Sequence, residues 1–68
     1  MTLTEQQAAN MREALSDFRA YRAELERGTT PERKAFMRHE ALVCEALLGS
    51  YVHQPLSALL HDVLVLSN

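Results

Sequence analysis

The chain has 68 residues, enough for one domain, and at that length only about 60% of the unfolded surface is buried on folding. Seven Lys and Arg against nine Asp and Glu give a net charge of −2, without the basic excess expected of a nucleic-acid binder. A single cysteine, Cys44, excludes an internal disulfide, and oligomerisation is the stabiliser expected for so short a chain.

Other broad classes are disfavoured by the same composition. The opening MTLTEQQAANMREAL is polar and reads as no secretory signal, and the apolar tail falls short of the roughly 20 residues that cross a bilayer. A soluble, cytoplasmic protein is the expectation. Charge is unevenly placed: all seven basic residues precede Glu40, and from Ala41 onward only Glu45 and Asp62 are charged. Such a division predicts one surface facing water and another facing protein.

The first helix is predicted over 3–27. Thr4 with Gln7 fits a capping box, and Thr2 with Glu5 repeats the pattern two residues earlier. Ala8, Met11, Leu15, Phe18, Arg22 and Leu25 recur at spacings of three and four, which makes one helical stripe. Gly28 suits the backbone geometry that closes a helix. Thr30 then offers an N-cap oxygen, Pro31 suits the first helical position, and Glu32 complements the positive end of a second helix. So short a connection favours an antiparallel hairpin.

The second helix is predicted over 31–52. On a helical wheel Phe36, Val43 and Leu47 form its centre line, flanked by Leu42 and Ala46 on one side and by Met37, Cys44, Leu48 and Tyr51 on the other. One neighbouring helix cannot cover so broad an apolar face. Gly49 weakens this helix near its end without stopping it. Pro55 disfavours helical geometry at Gln54 and separates a third helix, predicted over 55–66. There Leu56, Leu59, Leu60, Val63 and Leu64 form a full amphipathic stripe. The fold class expected is all-α: a long antiparallel helical hairpin plus a short C-terminal third helix, dimerising into a helical bundle. Phe18, Phe36, Val43, Leu47, Tyr51, Leu56, Leu59, Leu60, Val63 and Leu64 are the expected core and dimer residues.

Catalytic and metal chemistry find little support. His39, His53 and His61 with Cys44 lack the close pairs of a structural zinc site, and His39 and Cys44 point about 140° apart on one helix. Cys44 has no histidine on its face, so it reads as a structural thiol. Two glycines cannot build a phosphate-cradling loop. No enzyme activity, cofactor or metal is expected. Arg22 and Glu40 interrupt apolar stripes and should lie within about one helical turn of each other, as solvated charges or as a partly buried pair.

Around the turn Arg27, Arg33, Lys34 and Arg38 form a basic group, interleaved with Glu24, Glu26, Glu32 and Glu40. The acids cancel a phosphate site, and the helices are too long for a helix-turn-helix unit. The cluster is the expected docking place for an acidic partner protein. The function expected is that of a homodimeric regulator or inhibitor, of the bacterial or phage type, that masks a site on a larger protein. A small nucleic-acid-associated regulator and a structural subunit of a larger assembly are the alternatives.

Overall fold

The computed structural model describes residues 4–48 and 54–68, and these fold into three helices: α1 (Glu5–Arg27), α2 (Pro31–Leu48) and α3 (Gln54–Leu66). The start of α1 is fixed by a reciprocal cap. Thr4 Oγ1 accepts from the Gln7 N–H at 3.1 Å, and Gln7 Oε1 accepts from the Thr4 N–H at 2.9 Å. The Thr2–Glu5 alternative and a start at Leu3 lie outside the described residues, as do the continuation of α2 to Val52, Gly49, Tyr51 and His53.

Gly28 ends α1 with φ 98° and ψ 138°, backbone territory that an L side chain rarely enters. Its N–H donates to the Glu24 and Leu25 carbonyls at 3.0 and 3.2 Å, closing the last turn. Two residues later Thr30 Oγ1 accepts from the Arg33 N–H at 3.2 Å and caps α2, whose first residue is Pro31. α3 begins at Gln54, one residue earlier than Pro55 suggests, because proline is tolerated in a first turn, where its missing N–H costs nothing.

α3 lies against both other helices and makes most of the interhelical contact, while α1 and α2 approach each other least. This explains the apolar tail. Among the described residues, Leu56, Leu59, Leu60 and Val63 supply four of the eight buried hydrophobic side chains; the others are Phe18 and Leu25 from α1 and Met37 and Ala41 from α2. Leu64 packs half-buried at the edge of this cluster.

The expected centre line of α2 is displaced. Phe36, Val43 and Leu47 are 43%, 41% and 80% exposed, whereas Met37 and Ala41 are fully buried, with Cys44 and Leu48 half-buried beside them. The physical reason is α3: it seats against the side of α2 where Ala41 permits close approach and Met37 fills the space left over. Arg22 and Glu40 form no ion pair among the described residues. Arg22 Nη1 donates to Asp62 Oδ2 on α3 at 3.1 Å, with Glu26 of its own helix at 3.6 Å.

Candidate interaction surface

The basic residues near the turn do not form one open patch. Arg33 is held by Glu24: its Nε and Nη2 each donate to the carboxylate at 3.0 Å. Thr29 Oγ1 donates to the same carboxylate at 2.6 Å. These bonds, Arg33 first and Thr29 second, hold the Glu24 carboxyl down at about 2. The Arg33 guanidinium also lies 5.4 Å from the Phe36 ring centre and 6.0 Å from that of Tyr21. Arg38 Nη1 donates to Asn68 Oδ1 at 3.0 Å, at the far end of α3. Arg27 and Lys34 make no ion pair among the described residues. Half of the cluster is therefore committed within the chain.

The outer face of α2 is different. Ala35, Phe36, His39, Leu42, Val43, Ala46 and Leu47 are all exposed, and none of the seven carries a formal charge with histidine neutral. Composition hinted at this surface in the breadth of the α2 apolar face; its direction could not be read from periodicity, because the apolar residues span most of the helix.

Between this face and α1 an aromatic seam closes the turn end of the molecule. Tyr21 packs edge-on against Phe18, ring centres 5.3 Å apart, and against Phe36 at 6.1 Å. Partial burial raises the Tyr21 phenol above its ordinary range, and the Asp17 and Glu40 carboxylates push it the same way. Glu40 is half-buried here and has no basic group within 4 Å among the described residues.

Toward the other end lies an open groove of 260 Å³ walled by Met11, Ala14, Cys44, Leu47, Leu48 and Leu56. Cys44 is its one nucleophile. Burial first, and the Glu40 carboxylate second, raise the thiol above its ordinary range, which keeps it protonated and weakly nucleophilic at neutral pH. His39 and His61 are exposed. Among the described residues no three His, Cys, Asp or Glu side chains come together as a metal site. No helix among them is long and apolar enough to cross a membrane. The chain matches no family model, no curated protein and no solved structure.

Proposed function

We propose that this chain is a non-enzymatic protein-interaction module, a regulator or inhibitor that masks a site on a larger protein by docking through the outer face of α2. The observation that carries this reading is the exposure of Phe36, Leu42, Val43 and Leu47 on one helix whose opposite side is already fully used in the core. A helix presenting apolar anchors at such spacing fits a groove on another protein. In this reading the architecture is an antiparallel α1–α2 hairpin closed by α3, able to dimerise into a larger bundle. The protein acts in the cytoplasm, as bacterial and phage regulators of this size do. The turn residues Arg27 and Lys34 remain as a flanking electrostatic contact, secondary to the apolar face.

The test is a pull-down from the native host with the wild-type chain and with Leu47→Glu, followed by mass spectrometry. Leu47 is exposed, so its replacement leaves the core intact. A host protein retained by wild type and lost with Leu47→Glu supports the reading. A protein retained equally by both, but lost with Arg27→Glu and Lys34→Glu together, would return the docking site to the turn.

A further inference from the structure

α1 and α2 approach each other least of the three helix pairs, and the open groove of 260 Å³ lies between them. Met11 and Ala14 of α1 and Cys44 and Leu48 of α2 are half-buried in its walls, with Leu56 of α3 buried below and Leu47 exposed at the edge. All of these walls are helices, whose backbone groups are already bonded. An extended segment laid here would leave its own N–H and C=O groups without partners, whereas a helix satisfies them internally. The groove therefore suits a helix.

Charge says which kind. Along α1, Asn10, Glu13, Asp17 and Tyr21 follow one another at spacings of three, four and four, so two carboxylates continue the edge that begins in the groove at Asn10. On α2, Glu40 lies one turn before Cys44 of the same groove. Asp17 and Glu40 both raise the Tyr21 phenol, which puts carboxylates from the two helices around one hydroxyl. None of Glu13, Asp17 and Glu40 has a cation within 4 Å among the described residues. Arg33, the cation that acts on the same phenol, is held by Glu24. Arg12 and Arg19 point about 140° and about 160° away from Asp17 around α1.

The geometry points to an amphipathic helix of a partner protein as the occupant of the α1–α2 groove, its apolar stripe flanked by lysine or arginine. This deepens the proposed function, on whose reading of the chain as a docking module it rests. The apolar stripe meets Met11, Ala14, Cys44 and Leu47, and the flanking cations meet Asp17 and Glu40. A second copy is the poorer occupant. Its exposed apolar helix is α2, which carries Glu40 on its edge and would set carboxylate against carboxylate.

Three stapled helical peptides of about 16 residues, long enough to span the groove, probe this with the full chain. They share one leucine stripe and carry lysine, glutamine or glutamate beside it; a fourth has the lysine composition with its leucines scattered. Fluorescence anisotropy should show the lysine peptide bound about tenfold more tightly than the glutamate peptide, with glutamine between, and the preference should shrink from about 50 to about 300 mM salt. The scattered peptide should bind severalfold more weakly than its striped counterpart. Asp17→Asn with Glu40→Gln should weaken the lysine peptide severalfold and leave the glutamine peptide unchanged. Glu5→Gln with Glu45→Gln removes the same charge from exposed positions outside the groove and should change neither. Leu47→Lys, at an exposed residue, should weaken all three striped peptides.

Equal binding of the lysine and glutamine peptides, equal binding of the striped and scattered peptides, or equal losses in the two double variants overturns the inference. So does sedimentation showing a dimer of the chain that excludes the lysine peptide, which gives the groove to a second copy. The two readings fail separately. A host protein lost with Leu47→Glu, beside peptides bound without regard to charge, removes the basic helix and keeps docking. A charge-selective groove beside a captured host protein that ignores Leu47→Glu keeps the basic helix and removes docking through the outer face of α2.

Discussion

Arg33 at the start of α2 and Glu24 near the end of α1 meet as a two-pronged ion pair, both N–H···O distances 3.0 Å, across the turn at Gly28–Thr30. Planar guanidinium and carboxylate match in this geometry, which a lysine could not reproduce. The pair does more than neutralise charge. It lays the guanidinium beside Phe36 and Tyr21 and so ties the turn to the aromatic seam.

That arrangement makes acid stability depend on Glu24. Its carboxyl titrates near 4.5 when unperturbed and at about 2 in the folded chain. A lowered folded value means the stabilising contribution is complete above about 4.5 and is lost as pH falls from there toward 2. Glu24→Gln removes the titrating group, so its unfolding midpoint should fall less steeply than that of wild type across this window. Urea unfolding at pH 7, 4.5 and 2.5 compares the slopes. Parallel slopes would falsify the assignment.

Met37 and Leu47 lie on different sides of α2, and their truncation should differ sharply. Met37 is fully buried among the α3 leucines, so Met37→Ala should cost about 2–5 kcal/mol. Leu47 is 80% exposed, so Leu47→Ala should shift the stability of the monomer by about 0.5 kcal/mol or less. Both variants are compared with wild type at the same protein concentration. A larger loss at Leu47 than at Met37 would restore the centre line read from periodicity.

Cys44 offers a third check. Its thiol is raised by burial and by Glu40, so alkylation at pH 8 should be several times slower in the folded chain than in urea. Glu40→Gln relieves the second cause alone and should recover part of the rate. Equal rates in the folded and unfolded chain would mean that α2 is turned differently in solution. Cys44→Ser should leave partner capture unchanged, since no part of the proposed function uses the thiol.

Local signals in this sequence carry local structure because their physics is short-ranged. Thr4 and Gln7 cap α1 across one turn, and Gly28, Thr30 and Pro31 stop one helix and start the next within four residues. The stripe Leu56, Leu59, Leu60 and Val63 announces an inward face because only one side of α3 is continuously apolar. On α2 the same reasoning loses its direction, for apolar residues occupy most of the circumference and two stripes compete. Only the seat of α3 decided between them, turning Met37 and Ala41 inward and leaving Phe36, Val43 and Leu47 outside. Arg22 found Asp62, forty residues away, for the same reason: α3 lies beside α1 and brings its carboxylate within 3.1 Å. Spacing along the chain fixes what a helix is made of, but which side faces inward depends on the neighbour that comes to rest against it.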